Sequence, residues 1–365
     1  MKISVSRGEL EDKLFVASKA VSKRTIKPAL SGFLFDVSDE VIVYATDMET
    51  GVRAKIQANE IEGEGKFVVD ASTILEIVKS LSSDIVDMEL NENNLVISSG
   101  KSRFILTTMD PSDFPGFVSA ETDKFVEVDT SILDEMVDKV MFSAATDEFM
   151  RNLYGVFWEM SKGNLRLVAS DGFRLALMDQ PVDFEMEISF LISLPSMKEL
   201  KNVLANTSEP TLNLRFDGKR LSIEAGDVEV TMRVVDADFP DYRRVLPNQY
   251  STKVVSSREE LLDALKRVMI IAKKGSEAVK FSIEDGNLML SSKSPDYGEV
   301  VEEIDADIEG EELYIAFNPK FVQESLRKID TPEVEMLFDG QSKPLKVKPL
   351  EKEDYFYIIM PIRIV

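Results

Sequence analysis

A period of about 125 residues runs through this 365-residue chain and limits its fold more than any other feature. Phe114-Pro115, in DPSDFPGF, returns as Phe239-Pro240, in DADFPDYRRV, 125 positions on. Met360-Pro361 answers it after a further 121. ATD at Ala45 to Asp47 returns as ASD at Ala169 to Asp171, 124 positions on. Candidate helix starts at Glu9, Asp134 and Glu259 are 125 apart, and Leu95, Leu221 and Leu345 each open a strand after a polar turn. Such a period exceeds the roughly 20–50 residues of a solenoid unit and matches a whole domain of roughly 100–150 residues. The chain therefore reads as three copies of one domain, 1–120, 121–247 and 248–365, with linkers near 119–125 and 246–252.

Each copy carries two helices among many strands. The first helices are expected at 6–22, 130–143 and 257–274. Ser6 with Glu9 and Ser256 with Glu259 are spaced as capping boxes that satisfy free amides at a helix start. The second helices are expected to begin near Ala71, Pro195 and Pro319, since proline in a first turn loses no hydrogen bond. Between them the chain alternates in strand fashion, as in NLVIS, RLSIEA and VEVTMRVV, with turns at Asn93-Asn94, Lys162-Gly163, Asp217-Gly218, Asp285-Gly286 and Asp339-Gly340. Hairpins with two helices per unit predict an α+β fold, three repeats of two helices packed on antiparallel sheets.

Composition removes whole classes of chemistry. There is no Cys and no His. Disulfides, thiolate metal sites, Ser-His-Asp and Cys-His nucleophiles and His-based zinc sites are excluded, and neither a cofactor nor a metal is called for. No apolar run reaches the ~18 residues of a membrane span. MKISVSRGELEDK has no apolar signal segment, so secretion is not expected and a cytoplasmic setting is.

The net charge of −23 argues against a simple nucleic-acid binder, because phosphate contacts need Lys and Arg. The positive charges are nevertheless gathered. Leu261, Leu262, Leu265, Val268, Met269 and Ala272 form one stripe at helical spacing, which leaves Lys266, Arg267, Lys273 and Lys274 opposite it. In the first helix Leu10, Leu14, Ala17 and Val21 make the stripe and Lys19 and Lys23 oppose it, with Arg24 and Lys27 following. The second repeat offers Lys139 on its first helix and Lys198 and Lys201 on its second. A single basic face is ordinarily just solvated; its recurrence in so acidic a chain leaves a solvated face and a binding face equally open.

Several long stretches now combine: MKISVSR, SGKSRFILTTMDPSDFPGF, VASDGFRLALM, DADFPDYRRVLP, LYIAFNP and the terminal YIIMPIRIV. They occur in order from Met1 to the C-terminus, and with them the chain resembles the bacterial DNA polymerase III beta subunit family, the sliding clamps. The resemblance implies a head-to-tail homodimer, a ring of six similar domains with helices lining a hole and sheets outside. A domain of about 120 residues has a radius of gyration near ~14 Å. Six such bodies leave a hole of roughly 30–35 Å, wide enough for duplex DNA of about 20 Å. A ring is held by topology, so weak phosphate contacts suffice and an acidic exterior keeps DNA off the outside.

The resemblance also implies the residues. A hydrophobic cleft between the second and third domains would take short peptides from the polymerase III alpha subunit, the clamp loader, other polymerases, ligase and mismatch-repair proteins. It would comprise Leu153, Ser170, Gly172, Phe173, Arg174, Leu175, Pro240, Arg244, Val245, Asn318, Phe321, Pro344, Ile359, Met360, Pro361, Ile362 and Arg363, with Arg174 and Arg244 offering charge to acidic groups. Phe173 stands where family members often carry histidine, and the tail runs on to Ile364-Val365. With the basic helix faces turned to the hole, DNA-facing positions would be Lys19, Lys23, Lys27, Lys198, Lys201, Lys266, Arg267, Lys273 and Lys274, and the resemblance adds Arg24, Arg151 and Asn152. Ser72 and Thr73 stand where some members carry basic residues.

Two other classes compete. An enzyme would lean on the recurring Asp47 and Asp171, but an Asp in a TD or SD turn ordinarily caps its own backbone, and the two belong to different domains. A three-domain scaffold that binds proteins without encircling DNA would be monomeric.

Overall fold

In the computed structural model the structure describes residues 1–22, 25–183, 187–247, 249–275 and 277–363. The six α-helices among them are α1 (Arg7–Ala17), α2 (Ala71–Ser80), α3 (Thr130–Val140), α4 (Leu194–Leu204), α5 (Arg258–Ala272) and α6 (Pro319–Lys328). No helix is long and apolar enough to cross a membrane.

Local chemistry sets their ends. Ser6 caps α1 by accepting from the Glu9 amide. The third copy is shifted by one residue from the expected box: Ser257 caps α5 by accepting from the Glu260 amide. Ser256 instead donates to the Asp305 carbonyl. Asp129 caps α3, accepting from Ser131 and Ile132, so this helix starts four residues ahead of Asp134. α1 stops at Ala17, short of residue 22, because the chain tightens into a 3₁₀ turn at Ser18–Ala20. The first turn of the 93–94 type also moves by one, to Glu92-Asn93, with Glu92 at a positive φ of 50°.

The chain forms two compact units, 1–134 with 195–234, and 135–194 with 235–365. In the first, one sheet runs Ala58–Glu62, Lys2–Ser6, Ile85–Asn91, Asn94–Ser99, Ser102–Thr107. The other has eight strands, in the order Phe125–Asp129, Thr211–Phe216, Arg220–Ala225, Val228–Arg233, Thr50–Ile56, Val41–Thr46, Gly32–Val37, Gly65–Asp70. In the second unit a nine-stranded sheet runs Ile188–Ser193, Gly155–Ser161, Asn164–Ser170, Arg174–Pro181, Tyr355–Ile359, Leu345–Pro349, Glu333–Phe338, Thr252–Ser257, Ala306–Gly310. A four-stranded sheet runs Gly298–Ile304, Asn287–Ser294, Val279–Glu284, Leu313–Phe317. Every pairing is antiparallel, as the in–out alternation of strands such as Val41–Thr46 requires.

Three sequence repeats thus give two compact units, and the reason lies in the middle repeat. Its strands are dealt out between two sheets. Val228–Arg233 zips onto Thr50–Ile56 of the first repeat, and Arg174–Pro181 zips onto Tyr355–Ile359 of the third. Backbone hydrogen bonding across repeats, rather than side-chain packing alone, joins them.

Helix burial follows the predicted stripes closely. Leu10, Leu14 and Ala17 of α1, and Leu261, Leu265, Val268 and Ala272 of α5, are buried, joined by Ala264. Val21, Leu262 and Met269 are only half-buried. Lys139, read as an exposed charge, is buried: it pairs with Glu135 and Asp330 and lies 3.6 Å from the Tyr355 ring centre.

Candidate functional site

The turn between Asn164–Ser170 and Arg174–Pro181 is built by its own side chains. Asp171 accepts hydrogen bonds from the amides of Phe173 and Arg174. Ser170 Oγ accepts from the Gly172 amide and donates to the Arg174 carbonyl. Gly172 sits at φ 87°, a left-handed conformation that favours glycine. The first repeat uses the same device: Asp47 accepts from Glu49 and Thr50, and Thr46 bonds Met48 and Thr50. Both recurring aspartates are occupied in shaping turns, which removes the basis for reading them as a catalytic pair.

This turn forms the rim of an apolar cleft of about 150 Å³. Leu153, Ser170, Gly172, Arg174, Leu175, Pro240, Val245 and Met360 line it, as expected from sequence, together with Phe239, Asp241, Tyr242 and Ile358. Val168, Leu175, Leu177, Tyr242 and Ile358 make a buried cluster beneath, with Phe157 and Phe239 packed against it. The Phe157 and Phe239 rings stack at 4.9 Å and 10°. Tyr242 is pinned by its hydroxyl, which donates to Glu159 and accepts from Arg166. Arg166 is itself held by both oxygens of Asp179. Burial pushes the Tyr242 phenol up to about 12, so it stays a neutral donor at physiological pH.

The tail supplies the other wall. After Tyr355–Ile359 pairs with Arg174–Pro181, the Met360 amide donates to the Phe173 carbonyl and the Ile362 amide to the Ala316 carbonyl. These bonds fix the backbone and leave the flexible Met360 side chain at the rim, partly exposed.

Nine of the expected cleft residues do not line it. Ile359 is core. Asn318 caps α6, accepting from the Lys320 amide, and Pro344 precedes the strand Leu345–Pro349. Phe173 is 65% exposed outside the cleft. Arg244 points to solvent beside Asp241, Pro361 and Ile362 are half-buried along the tail, and Arg363 is exposed.

Arg174 has a different role from the one expected. Its guanidinium pairs with Asp171 and Glu324, donates to the Phe142 carbonyl, and lies 4.6 Å from the Phe321 ring centre, with Phe321 thereby one step behind the wall. Its charge is already satisfied, so it braces the wall rather than offering charge to a partner. Arg174→Ala takes the shared guanidinium from Asp171 and Glu324 in a half-buried setting and is expected to cost about 2–4 kcal/mol. Thermal melts of the variant will show a lowered midpoint; an unchanged midpoint contradicts the bracing role.

The basic positions divide. Lys27, Arg151, Asn152, Lys198, Lys266 and Lys273 are exposed. Others already have partners: Lys19 lies over Phe15, Lys201 pairs with Asp134, Arg267 with Glu302, and Lys274 lies over Tyr297. Lys23 and Arg24 lie outside the described residues, as does the Ile364-Val365 end.

Comparison with known proteins covers the whole chain. Three family models match in succession: DNA polymerase III beta subunit, N-terminal domain, at residues 1–118; its central domain at 127–241; and its C-terminal domain at 243–363. A beta sliding clamp of Bacillus subtilis (strain 168) is 29% identical over 377 residues, spanning 100% of both chains. One from Staphylococcus aureus (strain Mu50) is 30% identical over 376 residues, spanning 100% of this chain and 99% of its own. The crystal structure of the DNA polymerase III beta subunit from Thermotoga maritima superposes with a TM-score of 0.95 at 55% identity, covering 100% of both chains. That of the Pseudomonas aeruginosa subunit superposes equally well at 26% identity and the same coverage.

Proposed function

Because this chain belongs to the DNA polymerase III beta subunit family, the beta sliding clamps, we propose that two copies close head to tail around duplex DNA. In this reading the cleft at Met360 tethers the polymerase alpha subunit, the clamp loader and other replication and repair proteins. The protein performs no chemistry itself and works in the bacterial cytoplasm.

The observation that carries the ring is the equivalence of four strands. Within the chain, the strand following the ATD or ASD turn of one repeat pairs with the last strand of the next, and both joints have one register. Val52 faces Val230, and Ala176 faces Tyr357. Stepping once more, Gly298–Ile304 is the third copy of the first kind of strand, and Ser102–Thr107 is the first copy of the second kind. Among the described residues each pairs on one side only. Open edges of this length invite a second chain.

The register follows by translation. Val52, Ala176 and Val300 are 124 apart, and Phe104 and Val230 are 126 apart, so Phe104 of one copy lies opposite Val300 of the other. That alignment sets Ile105, 63% exposed, beside Val301, 56% exposed, and Tyr297. It also sets Arg103 between Glu299 and Glu303. Apolar meets apolar and positive meets negative, the pairing that stabilises neighbouring strands. Two copies pair both of these edges in each chain, with two identical joints and six repeats.

Sedimentation velocity tests this directly. A dimer of twice 41.0 kDa, about 82 kDa, is expected. A monomer at micromolar concentration overturns it and favours a scaffold that does not encircle DNA.

A further inference from the structure

We propose that the hollow between the end of α5 and the first turns of α6 is a binding site for a phosphate-bearing ligand. The hollow measures about 450 Å³, larger than the peptide cleft. Three cationic side chains line it: Lys273 after α5, and Lys320 and Arg327 on one face of α6. Gln323 lies between the latter two and is 9% exposed, yet its amide has no hydrogen-bond partner among the described residues. The side chain is held in place by its burial while its amide opens onto the hollow, where a ligand's polar atom can pair with it.

Two carboxylates share the hollow, and neither cancels it. Glu324 is engaged by Arg174 and lies 3.9 Å from Lys320. Glu277 has no ion pair among the described residues and is one negative charge against Lys273 and Arg327, which have none either. The amides of the first turn of α6 are already taken, since Asn318 accepts from Lys320 through its side chain and from Phe321 and Val322 through its carbonyl. Recognition must therefore come from side chains: the two unpaired cations and Lys320 grip phosphate oxygens, with the forked guanidinium of Arg327 suited to two at once. Gln323 donates to or accepts from the group bearing the phosphate.

The phosphate has two sources, a free polyphosphate or nucleotide and the backbone of encircled DNA. Only the second rests on the sliding-clamp reading. Calorimetry of the full-length protein with sodium triphosphate and, separately, with a short duplex distinguishes them. The variants are Lys273→Glu with Arg327→Glu, and Gln323→Leu alone, with Lys343→Glu on an exposed loop as the control for charge in general. Binding of triphosphate at one site per chain, weakened at least about tenfold by both variants but not by the control, assigns the site to free phosphates. No triphosphate binding, with duplex affinity lowered by both variants and not by the control, assigns it to the DNA backbone. If neither probe distinguishes the two variants from wild type while all remain dimers by sedimentation, the proposal is overturned. A wild type that binds neither probe overturns it as well.

Discussion

Aspartate at both Ile105 and Val301 is expected to turn an assembly of about 82 kDa into monomers of 41.0 kDa. Each side chain is an exposed apolar group on a strand with an open edge. In the proposed joint the two lie diagonal to one another, with Glu299 opposite Ile105. The substitutions remove the apolar contact and add two negative charges next to existing ones, with two joints affected per ring. The dimer dissociation constant should rise at least about a hundredfold, which is ~2.8 kcal/mol. Neither residue is buried within its own chain, so the melting temperature of the monomer should hardly change. A variant that stays dimeric means the copies meet elsewhere.

The second large effect is expected in the cleft. Met360→Asp puts a charge on the apolar rim while the Met360 amide keeps its bond to Phe173. Hot-spot losses in such pockets run to about 2 kcal/mol or more. A labelled short peptide with leucine and phenylalanine anchors should therefore bind at least about thirtyfold more weakly. Val245→Ala, which trims the opposite wall, should weaken it less. Dimer mass should not change in either variant. Fluorescence anisotropy showing unaltered affinity for Met360→Asp places the partner site away from this cleft.

Much of this architecture was legible in the sequence because the repeat period is covalent. The hairpins, the ASD turn and the start of α1 follow from local rules of capping and φ and need no tertiary partner. The cap at Ser257 rather than Ser256 was a near miss, since two adjacent serines offer the same chemistry and only the bond from Ser256 to Asp305, 49 residues on, decides between them. The cleft was legible where motif and wall coincide, as at Leu153, Gly172, Leu175 and Met360. Phe239 and Tyr242 were missed although the Phe-Pro cue had marked their segment; their role as wall depends on stacking and hydrogen bonding with Phe157 and Glu159, more than 80 residues back.

Charge was the least legible property. Arg174 reads as an available cation until Glu324, 150 residues away, neutralises it. Lys139, Lys201 and Arg267 similarly read as solvent-facing and are held by Asp330, Asp134 and Glu302. Helical periodicity gives the face on which a charge sits, whereas its partner comes from another element. The sharing of the middle repeat's strands between two sheets was equally hidden, because a repeat in sequence does not say which edges remain open.

Those open edges admit one direct test. The chain has no cysteine, so an engineered pair reports without background. Arg103→Cys with Val301→Cys sets the two thiols opposite one another in the proposed joint, at a strand spacing that suits a disulfide of roughly 4.4–6.8 Å between Cα atoms. Oxidised after loading onto a circular plasmid, the protein should run as a covalent dimer under denaturing, non-reducing conditions. It should stay on the plasmid through high salt and leave once the plasmid is cut. A protein that remains in single chains on oxidation, or that washes off the uncut circle, contradicts a closed ring joined at these strands.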